Sequence, residues 1–382
     1  MNGIFLNPSS YPEWGGVTKK IINQLNAFRN IGCSVSYVDL VNEANNDKTL
    51  RVDNQPVNQA RKNLSGFFKY FFSFLTPLYK HLSDSEIDFI YFRYRDMNPA
   101  ILKFLRQAHK NGIPIVTEIP TYPYDGEKRF GLSTIVDRML RHIAAKYYFR
   151  IATYSADKTI WGAKTIQISN GVNIEEIPLR SAPDVNSNRF SMVTVAHVAT
   201  WHGYDRIING IKNYYDAGGD KEIHLYIIGG GEARLIQELK ELVNTLNLSE
   251  NIHFEGIKQG AELDPYFNEC DLAIGSLGRH RSGIKTLKTL KNVEYASRGI
   301  PFIYSEDNPD FDDQPYVMKF PADDTPIDIN RCIEFCTNSD IQPIQIRNSA
   351  LNFDWKIQID KVIKEIQHTS PCNHDSENHK LV

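Results

Sequence analysis

The sequence predicts an α/β protein made of two Rossmann-like units, each a parallel sheet flanked by helices. Short apolar strands alternate along the chain with amphipathic helices of about ten to fifteen residues, the pattern of a parallel sheet. The series stops at a polar stretch, 174–188, that carries Pro178 and Pro183, and then begins again. A length of 382 residues suffices for two domains of ordinary size.

The first series starts with a strand over 3–7, Gly-Ile-Phe-Leu-Asn. A loop bearing Gly15 and Gly16 follows, then a helix over 17–30 with Val17, Ile21, Ile22, Leu25 and Phe28 on one stripe. A glycine pair lets backbone approach a ligand closely, or simply allows a tight helix entry. The second strand is 33–40, and 41–60 reads as polar and irregular. The segment 66–82, GFFKYFFSFLTPLYKHL, is unusually aromatic. It is either a core helix or an interfacial patch where aromatics meet lipid headgroups beside Lys69 and Lys80.

A third strand, 88–95, ends in Arg93 and Arg95, and a helix over 98–110 leads to a fourth strand at 113–119. That strand runs into Glu118-Ile119-Pro120-Thr121-Tyr122-Pro123-Tyr124-Asp125. Prolines and tyrosines at a strand's C-terminal end make a stiff aromatic lip, where loops often carry function. Tyr122 and Tyr124 could stack on sugar rings, and Glu118 or Asp125 could bond hydroxyls or accept a proton as the catalytic base. A rigid turn is the plainer reading of the same residues. A basic helix over 132–147, strands over 151–156 and 165–173, and the Asn170-Gly171 turn close this half.

The second series runs strand 189–197, helix 201–219, strand 222–228, helix 233–246, strand 251–256 and a short helix 261–269. Between strand and helix, Gly229-Gly230-Gly231 suits phosphate contact, although it is not a G-x-G-x-x-G dinucleotide pattern. The stretch 271–306 organises the chain. It reads as a buried strand from Asp271, a basic loop Gly278-Arg279-His280-Arg281-Ser282-Gly283, a helix over about 284–297, a stop at Gly299 and another strand. Open α/β sheets bind ligands beyond the C-terminal ends of their strands. Arg279, His280, Arg281 and the Gly283 backbone beside a helix N-terminus therefore predict an anion site, most simply for a phosphate. Lys291 adds charge, and Glu294 could bond vicinal hydroxyls such as those of a ribose. After a strand at 316–320 and a helix at 326–336, an amphipathic helix at 352–367 precedes a polar tail at 368–382.

Composition narrows the class. The 43 basic and 46 acidic side chains nearly balance, which does not suggest nucleic-acid binding. Five cysteines without paired CxxC spacing do not predict a zinc site, and with no evident signal peptide they fit a reducing cytosol. No apolar run is long enough to span a bilayer. The expected setting is cytoplasmic, or peripheral at the inner face of a membrane.

Lys291-Asn292-Val293-Glu294-Tyr295 with Gly299-Ile300-Pro301 resembles the nucleotide-sugar signature of family 4 glycosyltransferases, which have the GT-B fold of two facing Rossmann-like domains and a central cleft. The resemblance covers roughly residues 3–366. Ser169-Asn170-Gly171-Val172-Asn173 is similar to the family's close of the first domain, implying domains at 1–173 and 189–351 joined by 174–188, with 352–367 crossing back. The segment 118–124 also resembles bacterial sugar transferases of the capsule-building kind. The resemblance implies a retaining, metal-independent transfer from a nucleoside-diphosphate sugar to a glycan or lipid-linked acceptor, in surface polysaccharide synthesis. It implies that Glu294 holds the ribose, and that Gly15, Gly16 and the 121–124 lip shape the acceptor side. His197 and His202 stand where the family places an Arg and a Lys, Gly230 replaces an Asp, and Thr286 replaces the family's first Glu, the donor-sugar contact. A nucleotide-sugar epimerase, a phosphorylase and a non-catalytic nucleotide-sugar-binding subunit are the alternative readings.

Overall fold

A computed structural model describes residues 1–11, 16–84, 86–120, 122, 132–181 and 188–369. The chain divides into two units, Met1–Ser169 with the segment from Trp355, and Asn170–Asp354.

The first unit opens with β1 (Asn2–Asn7), α1 (Gly16–Asn30) and β2 (Ser34–Asn42). β3 (Lys48–Val52) and β4 (Gln55–Ala60) then form an antiparallel hairpin on the edge of β2. This corrects the expectation of an irregular 41–60. The hairpin turns at Asp53 and Asn54, both at positive φ (47° and 68°), the geometry of a two-residue primed turn that short polar side chains tolerate. Next come α2 (Leu64–Phe72), α3 (Leu78–Asp84), β5 (Phe89–Arg93), α4 (Pro99–Lys110), β6 (Ile115–Ile119), α5 (Leu132–Ala144), β7 (Arg150–Thr153), β8 (Thr159–Ile160) and β9 (Ala163–Gln167). The strand order is β4-β3-β2-β1-β5-β6-β7-β9-β8, parallel from β2 to β9.

Strand alternation separates two cores in this unit. Ile4, Leu6, Ile90 and Phe92 pack with Leu78, Phe104, Leu105 and Ala144 from α3, α4 and α5. Phe5, Phe89 and Tyr91 face the other way, against Ile21, Leu25 and Phe28 of α1. The aromatic segment is not a core helix over its whole length. Within α2 the buried residue is Gly66, while Phe67, Phe68 and Phe72 are exposed. Burial resumes at Phe74, Leu75 and Leu78, after α2 has ended.

The second unit contains β10 (Arg189–Val195), α6 (Tyr204–Asp216), β11 (Glu222–Ile228), α7 (Ala233–Thr245), β12 (Ile252–Gly256), α8 (Asp264–Glu269), β13 (Leu272–Ile274), α9 (Leu290–Arg298), β14 (Phe302–Tyr304), β15 (Val317–Lys319), α10 (Ile329–Thr337) and α11 (Pro343–Ser349). Its sheet, β12-β11-β10-β13-β14-β15, is wholly parallel. The stretch read as a linker is, over 174–181, built into this unit. Ile174 and Ile177 are buried in its core, and their carbonyls accept from the Arg347 guanidinium at 2.6 Å each. The last helix, α12 (Trp355–Thr369), packs on α1 in the first unit through Ile359, Val362, Ile363 and Ile366. No helix among the described residues is long and apolar enough to cross a membrane.

Glu118 is not at an open rim. It is the penultimate residue of β6, and alternation turns it with Val116 toward α1 and α12, where it is 0% exposed. Five groups converge on its carboxylate. Arg93 Nη1 (2.7 Å), Tyr154 O–H (2.8 Å) and Lys20 Nζ (3.0 Å) reach Oε1; Gln24 Nε2 and Tyr91 O–H, both at 3.0 Å, donate to Oε2. Burial disfavours the charge, but Lys20 and Arg93 outweigh it and hold the carboxyl far below the usual range. Burial also pulls Lys20 down to about 8, against the pull of Glu118. A saturated carboxylate of this kind has neither a lone pair nor a path for a substrate proton, so the catalytic expectation for Glu118 is withdrawn.

Glu118→Gln should cost about 3–5 kcal/mol of stability in urea unfolding, because it leaves two buried cations without their counter-charge. A loss below about 1 kcal/mol would contradict the account of this network.

Candidate functional site

The C-terminal ends of β10, β13 and β14 carry the loops of the candidate site, all within the second unit. Their arrangement starts from glycine. Gly203, at φ 63°, leads into α6, and a Cβ there would lie 2.8 Å from the Gly278 nitrogen and the Leu277 carbonyl carbon. That absence of a side chain lets the 200–203 loop lie on the 277–278 loop, joined by Leu277 N–H to His202 O (3.0 Å) and Gly278 N–H to Trp201 O (3.1 Å). Arg206, 1% exposed, ties the loops together from beneath. Its guanidinium donates to the Leu277 carbonyl, to Ser305 Oγ (3.1 Å) and to the Thr325 carbonyl (2.7 Å), and pairs with Asp323 at 3.3 Å.

Above this clamp lies a cluster of charged and polar groups. Lys291 Nζ is 3.0 Å from His202 Nδ1, and the same ring nitrogen is 3.2 Å from Ser276 Oγ. His202 is buried, and burial together with the charges of Lys291 and Arg279 holds its pKa far below the ordinary value. The imidazole is therefore neutral, and its Nδ1 accepts a hydrogen bond from the Lys291 ammonium. His202 thus stands at the family's basic position without carrying a charge of its own, and the positive charge here comes from Lys291 and Arg279. Burial lowers Lys291 to about 7, with Glu306 pulling it upward and Arg279 pushing it further down. Glu306 is 2% exposed, and burial raises its pKa, opposed by Lys291 and Arg279.

Among the described residues, neither carboxylate oxygen of Glu306 nor either amide atom of Asn292 has a hydrogen-bond partner, and Thr289 Oγ1 has none. Asn292 is fully buried, and Thr289, which precedes α9, makes no side-chain cap. Buried polar atoms left open in this way are expensive unless something else meets them. They gather around the first turn of α9, whose backbone donors point outward at its N-terminus.

The helix expected from Ile284 begins six residues later, at Leu290. Residues 285–287 instead run extended beside Asp307, with Asp307 N–H on Lys285 O and Leu287 N–H on Asp307 O, both at 2.9 Å. Three expected anion contacts are taken up within the protein. Arg281 is committed to carboxylates, at 2.7 Å from Asp205 and 2.6 Å from Asp324. His280 Nε2 lies 3.0 Å from Asp324 as well. Gly283, at φ 70°, ends a short helical turn, and its N–H donates to the His280 carbonyl at 3.1 Å. Thr286 is exposed on the extended segment.

The triple glycine has a packing explanation. A Cβ on Gly229 would stand 1.8 Å from the Ala196 carbonyl oxygen, and one on Gly231 2.6 Å from that of Val198. Val198 N–H donates to the Gly230 carbonyl at 2.7 Å. The glycines thus admit the chain that leaves β10, and Gly230 is half-buried beside Ile257. His197 is exposed in that same chain, next to the His202 ring, which hydrogen-bonds its backbone.

Glu294 follows Lys291 by three residues, so the two share one face of α9. It is half-buried and held by Arg298 Nε at 3.3 Å, while Arg298 Nη1 is anchored on Asp264 at 2.8 Å. Gly15, Tyr124 and Asp125 lie outside the described residues. Gly16 is exposed at the start of α1, and Tyr122 is half-buried against the α3–α5 core. Arg279, expected from the basic loop, lies with this cluster, and Glu306, Asn292 and Ser276 join it unexpectedly. Glu306 had a usable signal, since it follows the apolar strand 302–304 at the sheet end where ligands bind.

No protein-family model matches the chain, and no curated protein matches it by sequence. Solved structures do. A glycosyltransferase from Rickettsia africae ESF-5 superposes with a TM-score of 0.69 at 13% identity, over 97% of this chain and 99% of that one. Anabaena Alr3699/HepE, solved with UDP, gives 0.62 at 15% identity over 97% and 99%. Sucrose-phosphate synthase from Thermosynechococcus elongatus gives 0.61 at 12% identity over 97% and 100%. Likeness at such low identity is a likeness of fold, and the fold shared across the whole length, with its two parallel-sheet α/β units, is the GT-B fold of glycosyltransferases.

Proposed function

We propose that this chain is a glycosyltransferase whose second unit binds a nucleoside-diphosphate sugar at the N-terminal turn of α9. The carrying observation is the Lys291 ammonium, set on a neutral His202 among buried polar atoms that have no partner in the protein. Lys291 and Arg279 neutralise the diphosphate, and the first-turn N–H groups of α9 complete its cradle. Negative charge grows on the diphosphate as the glycosidic bond breaks, so cations fixed there act on the transition state. These side chains provide the charge that a divalent metal provides elsewhere, and the transfer is proposed to be metal-independent. Glu294, three residues along the same face, takes the ribose hydroxyls. The UDP and UDP-glucose seen in the HepE structures support a nucleotide sugar as donor.

The acceptor is proposed to be a glycan or a lipid-linked sugar, met through the Gly15–Gly16 loop and the tyrosine lip, in surface polysaccharide assembly on the cytoplasmic side. Retention of the anomeric configuration is part of the same reading. Asp125 is the candidate base, now that Glu118 is structurally committed.

Lys291→Met should weaken UDP binding in calorimetry by about 10- to 100-fold, the value of a charge-assisted contact of ~1.5–3 kcal/mol. Arg281→Ala, which removes a guanidinium already paired to two carboxylates, should leave the affinity within about threefold. The reverse ranking would return the diphosphate to Arg281 and the Gly283 backbone.

Glu294→Ala should abolish most transfer while the protein stays folded, and unchanged turnover would remove the ribose assignment. Affinity should also depend on pH. Lys291 binds as the ammonium, and its pKa in the empty protein is about 7, so the charged form is lost as pH rises through that value. UDP affinity should drop on the order of tenfold from about pH 7 to about pH 9. Lys291→Arg should flatten that profile, and a flat profile in the unaltered chain would contradict the assignment.

A further inference from the structure

Helices α2, α4 and α5 lie on one face of the first sheet, with α4 touching both of the others. Their outward sides have a chemistry that the transfer reaction does not use. On α2, Leu64, Phe67, Phe68 and Phe72 are 74, 47, 52 and 52% exposed. On α5, Ile135, Met139 and Ile143 are exposed at helical spacing, at 49, 67 and 43%. Between them, α4 presents Lys103, Arg106 and Lys110 to solvent. Among the described side chains of these helices no acid is exposed. Asp137 is fully buried and accepts the Met97 N–H at 2.7 Å.

We propose that this face is a docking surface for an anionic lipid bilayer. Exposed aromatic and aliphatic side chains on short amphipathic helices enter the headgroup boundary, and the basic strip between them matches negative headgroups. Lys69, exposed among the α2 aromatics, extends the same pattern. Charge argues against a second copy of the chain as the occupant, because a two-fold contact through this face would set the same cationic strip against itself. The surface is separate from the nucleotide site, so its test needs no nucleotide.

The full chain should co-sediment with phosphatidylcholine vesicles containing about one third phosphatidylglycerol, and not with pure phosphatidylcholine, with binding that falls as salt rises. The triple substitution Lys103→Gln, Arg106→Gln, Lys110→Gln should weaken this binding on the order of a hundredfold, about fivefold per charge. Phe67→Ser with Phe68→Ser and Phe72→Ser should abolish it, with circular dichroism confirming the fold. If the aromatic variant does not fold, the α4 variant, altered at three exposed positions, carries the test. Absence of binding to the anionic vesicles, equal binding to both vesicle types, or binding untouched by the α4 substitutions would overturn the proposal. A dimer that binds no vesicles and separates when the phenylalanines are removed would assign the face to a second copy instead.

Discussion

The second unit depends on a guanidinium taken out of water. Arg206 reaches into the space under three loops and satisfies itself on the Leu277 and Thr325 carbonyls, Ser305 and Asp323. Leu277 lies two residues before Arg279, and Ser305 immediately precedes Glu306. One buried side chain on α6 therefore fixes the loops from which two of the site's charged groups project. The geometry works because Gly203 and Gly278 leave no side chains between the strands' exit loops. A rigid base of this sort suits the proposed diphosphate site, since preorganised charge acts on a transition state without rearranging first.

Among the described residues, the buried charge clusters around Glu118 and around Lys291 differ in how far the protein satisfies them. In the first unit Glu118 is answered by two cations, two phenols and an amide, with both oxygens occupied. Nothing remains for a ligand. In the second unit Lys291 leans on a neutral imidazole, while both Glu306 oxygens and both Asn292 amide atoms stay open. The first cluster joins α1 to the sheet and sits beneath α12, with Lys20 5.4 Å from the Trp355 ring. The second leaves polar valence at the strand ends, where α/β sheets meet their ligands.

The sequence conveyed the two-unit alternation, because strand and helix periods differ and each element here keeps its own. It conveyed the place of α9 and its glycine stop, since Lys291, Glu294 and Gly299 lie in one continuous pattern. The errors have physical causes. Glu118 looked like a rim residue because its distance from the strand end was legible, while the face it takes depends on strand parity and on α1 above it. Arg281 looked available because Asp205 and Asp324 are remote in sequence, and only folding brings them together. α9 starts later than its local helix propensity implies because the 285–287 segment pairs with Asp307 instead. The polar residues of 48–60 hide a hairpin whose one local signal is the Asp53-Asn54 turn between two short strands.

The most direct measurement is a crystal structure of the chain with UDP. The account predicts diphosphate oxygens within hydrogen-bonding distance of Lys291 Nζ and Arg279, above the first turn of α9, with the ribose hydroxyls on Glu294. A nucleotide seated on Arg281 and the Gly283 backbone, or one that leaves Lys291 bonded to His202 alone, would contradict it.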